Sequence, residues 1–253
     1  MKSFRHHSLF FAFIIFSAFH AKAAMTVDQM VEQAEKQVKG DSFEGQLKMI
    51  VEKDGSQRTL EIKSWLKGDD YSLLRILNPA KDRGTGTLRV KLEMWQYLPN
   101  VSRVVKIPFS MMLQSWMGSD FSNDDLVKST SLARDYTHKI LATETVNNVK
   151  SVKIECLPKK NATIVWGKVI LWVRETDQSP VKQEYYSEKG KLVKTFDGFD
   201  HKTFGKRTIP TLVVMTPANK PGQKTTLQYL KVKFDQKLST SLFTESQLRS
   251  GAE

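Results

Sequence analysis

The sequence predicts an α+β chain that is mainly β, built as one long, curved antiparallel sheet with a few short helices. Three observations carry this. Apolar and polar residues alternate with a period near two along most of the chain. Turn pairs such as Asp54-Gly55, Asn147-Asn148 and Lys189-Gly190 punctuate that alternation. No long helical pattern separates the strands, which excludes parallel βαβ units and favours a meander.

Each element follows from its own residues. Thr26 or Asp28 can cap a helix ending near Lys39, where Met30, Val31, Ala34 and Val38 recur at helical spacing and Gly40 stops it. Phe43, Gly45, Leu47, Met49 and Val51 then alternate with Glu44, Gln46, Lys48 and Glu52. Asp54-Gly55 closes a hairpin to Arg58–Leu66, and Tyr71–Leu77 is a third strand ended by Asn78-Pro79. Two more strand-like runs, Met94–Leu98 and Val101–Ile107, precede a short greasy segment. Beyond it, strands are expected at 136–143, 150–157, 165–173, 181–187, 192–199, 207–216 and 225–234. Thr244-Glu-Ser-Gln247 fits a capping box for a last helical turn through Leu248.

The N-terminus sets the compartment. Lys2, Arg5, His6 and His7 precede the apolar run Leu9–Phe19, and Ala21-Lys22-Ala23 is a small-x-small cleavage site. Together these describe a secretory signal peptide over residues 1–23, too short for the roughly 20 apolar residues of a membrane span. Cleavage leaves a single soluble domain over 24–253, with no linker or repeat dividing it. Lys2, Arg5 and Lys22 account for three of the +12 charges, so the mature chain keeps +9. A basic exported chain suits anionic membranes or acidic partners, or simply carries a solvated basic surface. Nucleic acid is excluded as a partner by export and by the lack of a basic helix. The lone Cys156 lies in a strand-like run and reads as a buried, inert thiol.

Catalytic patterns are missing. The mature chain holds only His138 and His201, far apart, and no Cys/His/Asp spacing suits zinc. Gly84-Thr-Gly86 reads as a loop rather than a dinucleotide fingerprint. Asp120, Asp124 and Asp125 lack the spacing of a calcium loop, and Asp120 and Ser122 are better placed as caps for a short helix over Asn123–Val127. The expectation is a non-enzyme without cofactor or metal. The central segment differs: Met111, Met112, Leu113, Trp116, Met117 and Phe121 crowd into eleven residues, bracketed by Pro108 and Gly118. By composition they suit a core plug or a lid touching a ligand, since methionine adapts to varied apolar surfaces.

Arg75-Ile-Leu-Asn-Pro79, Gly84 and Gly86, Met94-Trp-Gln-Tyr-Leu-Pro99, Ile107 and Gly118-Ser-Asp-Phe-Ser-Asn-Asp-Asp-Leu126 occur in order. This series resembles the LolA-like outer-membrane lipoprotein-sorting proteins, periplasmic carriers of the LolA/LolB kind, and Leu242–Leu248 is similar to the end of one branch. The resemblance implies an unclosed, curved antiparallel half-barrel with short helices over its open side, sheltering acyl chains. It implies that Met111, Met112, Leu113, Trp116, Met117 and Phe121 form a lid or lining, with Trp65, Trp95 and Tyr97 as further lining candidates. The implied function is a monomeric carrier of lipid or lipoprotein acyl chains toward the outer membrane, with an inner- or outer-membrane protein as partner. The alternative is an accessory module that docks on an inner-membrane transporter of the resistance-nodulation-division type without carrying lipid. One departure stands out. Where the family has a lid-tying arginine before the third strand, this chain reads Leu66-Lys67-Gly68-Asp69. Lysine lacks the forked geometry of arginine.

Overall fold

A computed structural model describes residues 25–127, 131–160, 162 and 164–250. The expected signal peptide, residues 1–23, lies outside them. The first helix, α1, spans Val27–Lys39. Thr26 caps it with a reciprocal pair, its hydroxyl accepting from Gln29 N and its own N–H donating to Gln29 Oε1.

The strands are β1 (Ser42–Lys53), β2 (Ser56–Lys67), β3 (Tyr71–Asn78), β4 (Gly86–Val90), β5 (Glu93–Leu98) and β6 (Arg103–Ile107). After the short helices α2 (Asn123–Val127) and α3 (Leu132–Asp135) come β7 (Tyr136–Val146), β8 (Val149–Pro158) and β9 (Lys168–Arg174). Then follow β10 (Pro180–Tyr186), β11 (Leu192–Phe204), β12 (Arg207–Pro217), β13 (Lys224–Phe234) and α4 (Glu245–Ser250). Asp54 and Gly55 both take positive φ, as the two-residue hairpin between β1 and β2 requires. The segment β4, which alternation around Gly84-Thr-Gly86 did not single out, is a true strand. It is short, and its neighbours on both sides supply the pairing that its own pattern does not advertise.

All thirteen strands form one antiparallel sheet in the order β6-β5-β4-β3-β2-β1-β13-β12-β11-β10-β9-β8-β7. The chain therefore starts in the middle, steps out to one edge at β6, and resumes at the opposite edge at β7. The edges do not pair with each other, so the barrel is unclosed. At roughly 4.8 Å per strand, twelve spacings would measure about 58 Å on a flat sheet. Residues 108–135 make that crossing, and a strongly curved sheet shortens it. Topology alone thus lays this connection, the strap, across the open side.

Two faces of the sheet are covered. On the concave face Leu47, Met49, Leu60, Ile62, Leu74 and Ile76 pack with Met112, Trp116 and Phe121 of the strap. A second concave core joins Val31 and Ala34 of α1 to Tyr136, Ile154, Trp166, Leu171 and Val173. On the convex side of β2–β5, Trp65, Leu73 and Leu88 lie under Phe243 and Leu248 of the C-terminal segment. Burial on both faces explains why β3 reads as a nearly continuous apolar run rather than a clean alternation. Gly86 is required there: a Cβ would sit 2.7 Å from Leu248 Cδ1.

Candidate functional site

Between the two concave cores lies a cavity of about 220 Å³. Its floor is sheet: Phe43, Leu47, Leu66, Leu74, Leu171, Val181, Phe196, Val213 and Leu227. Its roof is Ala34 and Val38 of α1 with Phe121 and Leu132 of the strap. These residues meet because strand parity aims every second side chain inward, while α1 presents Val31, Ala34 and Val38 along one stripe.

Polar contacts fix the roof. Gln37 holds α1 to the sheet, its amide donating to Asp177 O at 2.8 Å and its carbonyl accepting from Thr208 N at 3.0 Å. Glu35 clasps the strap by accepting from Ser131 Oγ at 2.7 Å and Leu132 N at 2.5 Å. The strap is tied in turn to β4, where Trp116 Nε1 donates to Thr87 Oγ1 at 2.9 Å. Ser122 and Asp125 form a reciprocal cap at the start of α2, Ser122 N donating to Asp125 Oδ2 at 2.8 Å and Asp125 N to Ser122 Oγ at 3.3 Å. Asp120, expected beside Ser122 as a cap, instead pins the strap to β13. Its N–H donates to Thr225 Oγ1 at 3.1 Å and its carboxylate accepts from that hydroxyl at 2.8 Å.

A buried ion pair stands at the cavity wall. Lys194 of β11 and Asp125 of α2 are 5 % and 7 % exposed at their side chains and in direct contact. The ammonium also faces three aromatic rings, with centroids at 4.5 Å (Trp166), 5.0 Å (Tyr185) and 5.2 Å (Phe196). Ring quadrupoles attract a cation so placed, which lowers the cost of burying it.

Two donors on the same cavity are left over. Tyr136 is fully buried and Trp166 nearly so, and neither Tyr136 Oη nor Trp166 Nε1 has a hydrogen-bond partner among the described residues. Tyr185, packed against them, satisfies its hydroxyl on Gln183 Oε1 at 2.6 Å. A buried polar group without a partner costs about 1–3 kcal/mol. Arg58 Nε, Ser72 Oγ, Arg75 Nε and Ser179 Oγ are in the same state elsewhere, and Tyr136 and Trp166 are the pair that share this cavity. Burial first, and then Asp124, Cys156 and Asp135, push the Tyr136 hydroxyl far up, so it stays a donor.

The residues singled out in the sequence divide into three groups. Phe121 lines the cavity. Met112 and Trp116 are buried in the neighbouring concave core and Met117 packs against it, while Met111 is half-buried and Leu113 is exposed. Trp65, Trp95 and Tyr97 point to the convex side, under the C-terminal segment, and do not touch the cavity. Lys67, at the position of the family's arginine, donates to Leu238 O at 2.8 Å and so holds the C-terminal segment rather than the strap. Lys194, Tyr136 and Trp166 were not singled out. The one available signal was parity, since Lys194 shares the inward register of Phe196 and Gly198 on β11. His138 is held between Asp28 Oδ1 at 2.6 Å and Leu132 O at 2.9 Å, and His201 against Pro180 O at 3.1 Å.

Solved structures share this unclosed fold, LolA superfamily proteins among them. A DUF1329 family protein from Desulfovibrio piger matches with a TM-score of 0.80 at 24% identity, over 87% of this chain and 97% of that one. A candidate outer membrane lipoprotein-sorting protein domain from Vibrio parahaemolyticus matches at 0.75 and 24%, over 88% and 97%. A LolA superfamily protein from Nitrosomonas europaea matches at 0.75 and 25%, over 88% and 100%. A family model described as an uncharacterized protein matches residues 68–250, well over half of the chain, and the chain belongs to that family. A search of curated proteins finds no match. Among the described residues no helix is long and apolar enough to cross a membrane.

Proposed function

We propose that this protein is an exported, periplasmic carrier that shelters acyl chains of a lipid or lipoprotein in the cavity between its sheet and its strap. The observation that carries the reading is the roofed apolar cavity on the concave face, bounded by Phe121 and Leu132 above and by Phe43, Leu74, Val213 and Leu227 below. Transfer of each methylene from water contributes about 0.8 kcal/mol, so a single acyl chain binds without covalent chemistry. The likeness to a lipoprotein-sorting domain supports the same reading. In this proposal residues 1–23 are removed near Ala23 and residues 24–253 act as one domain. The cavity is smaller than the roughly 300–1,000 Å³ of sites for drug-sized ligands, so loading requires the strap to lift. Met112, Trp116 and Met117 then pass from core packing to cargo contact as the lid, with Met111 and Leu113 at its rim.

The test is lipid analysis by mass spectrometry of the mature protein purified without detergent from the periplasmic fraction. Stoichiometric lipid or acylated peptide is expected, together with an N-terminus at Ala24. Protein that carries none, and takes up none when offered phospholipid or a diacylated lipopeptide, overturns the reading.

A further inference from the structure

Resting on that reading, we infer that the cavity selects acyl chains whose carbonyl is esterified or amidated over free fatty acids, and that Tyr136 and Trp166 receive the carbonyl oxygen. Both side chains line the cavity, both are at least nine-tenths buried, and both keep an unpaired N–H or O–H among the described residues. Donors without acceptors ask for an oxygen that brings no donor of its own. A purely hydrocarbon cargo leaves both unmet. An ester or amide carbonyl offers two lone pairs and brings no donor of its own.

Charge decides between a neutral carbonyl and a carboxylate. Lys194 lies over the Trp166 ring, and Asp125 already neutralises it. Lys39 and Lys182 line the cavity beside Glu35, Asp124 and Asp125, and they pair with Asp69 and Glu184 at 3.2 and 2.8 Å. A fatty-acid carboxylate would enter a site whose cations are already committed to carboxylates. A neutral acyl carbonyl meets no such penalty, because burying an unpaired charge is far dearer than burying a hydrogen-bonded dipole.

Displacement of the neutral fluorophore N-phenyl-1-naphthylamine from delipidated protein at pH 7.5 tests the inference, with methyl decanoate, decanoate and an alkane of matched length as competitors. The ester should displace the fluorophore about 5- to 10-fold better than the alkane, the gain expected of one or two neutral hydrogen bonds, and better than decanoate by at least as much. Tyr136→Phe should reduce the ester's advantage over the alkane while leaving the alkane unchanged. It should also raise the melting temperature of the empty protein, because it deletes an unsatisfied hydroxyl. A hydroxyl with a purely structural partner would give the opposite shift in stability. Equal displacement by ester and alkane, a preference for decanoate, or an unchanged ester advantage in Tyr136→Phe overturns the inference and leaves the carrier reading standing. No fluorophore binding and no competition by any of the three overturns the carrier reading itself.

Discussion

Lys194 shows how much one buried charge can fix. Its ammonium lies against three rings and pairs with Asp125, which belongs to the strap, so the contact joins β11 to α2 across the cavity wall. Removing one partner leaves the other charge buried without compensation, which costs about 3–5 kcal/mol, whereas replacing both by apolar residues is near neutral. Lys194→Met should therefore lower the urea midpoint sharply, and Lys194→Met with Asp125→Leu should recover most of the loss. If the double variant is as weak as the single one, the pair does not act as a unit. Cys156 makes a second case. Burial first, then Glu35 and Glu155, push its thiol up to about 12 from an ordinary 9.0. The unfolded chain thus loses this proton near pH 9 while the folded chain keeps it. Stability is complete below that point and falls by about 1.4 kcal/mol per pH unit above it. Tyr136, Tyr185, Tyr186 and Tyr229 are raised as well and add a fall that both proteins share. Between pH 9 and 10 wild type should therefore lose about 1 kcal/mol more than Cys156→Ala in chemical denaturation. An identical slope in both would place the alkaline sensitivity elsewhere.

Elements were legible where their own residues carried the signal. The helix cap at Thr26, one of the two residues offered for it, the hairpin at Asp54-Gly55 and the turn at Asn147-Asn148, both asparagines at positive φ, appear where the residue types placed them. The strand β4 did not show itself, because its five residues, Gly86–Val90, give too little alternation to count. Of the candidate site, Phe121 could be placed by its neighbourhood, but the facing of Trp65, Trp95 and Tyr97 could not. A strand covered on both sides gives no inward parity to read, and the cover here is a segment some 150 residues further on. That cover rests on Gly86. Its side-chain-free surface lets α4 approach, while Arg75 donates to Gln247 O at 2.6 Å to anchor the helix. Gly86→Ala should cost about 1–3 kcal/mol through overpacking against Leu248. Amide exchange should speed up selectively in residues 238–250, with the concave face unaffected. Uniform acceleration through β1–β3 would instead mean that the C-terminal cover and the cavity core unfold as one unit.

At the scale of the molecule, the strand order explains why a carrier can be built from a simple meander. Because the chain begins at the centre and must cross from β6 to β7, the strap is an obligatory connection and needs no separate domain to serve as a roof. Side-chain contacts anchor it, among them Trp116 on Thr87, Arg58 on Met117 O, Asp120 on Thr225, Asp125 on Lys194 and Glu35 on Ser131 and Leu132. None of these contacts belongs to a sheet ladder, so lifting the roof breaks no strand pairing. A void in this position is either the cargo chamber or a packing fault, and the two have opposite consequences when it is filled. Val213 is partly buried on the cavity floor. Val213→Phe adds apolar surface where about 220 Å³ is empty, so it should leave the melting temperature unchanged or raise it by a few degrees. A packing fault would respond in no other way. A chamber would also lose capacity, and the lipid recovered from purified Val213→Phe should fall several-fold while the far-ultraviolet circular dichroism stays that of wild type. Retention of the full lipid complement in a well-folded Val213→Phe protein would move the cargo site away from this cavity.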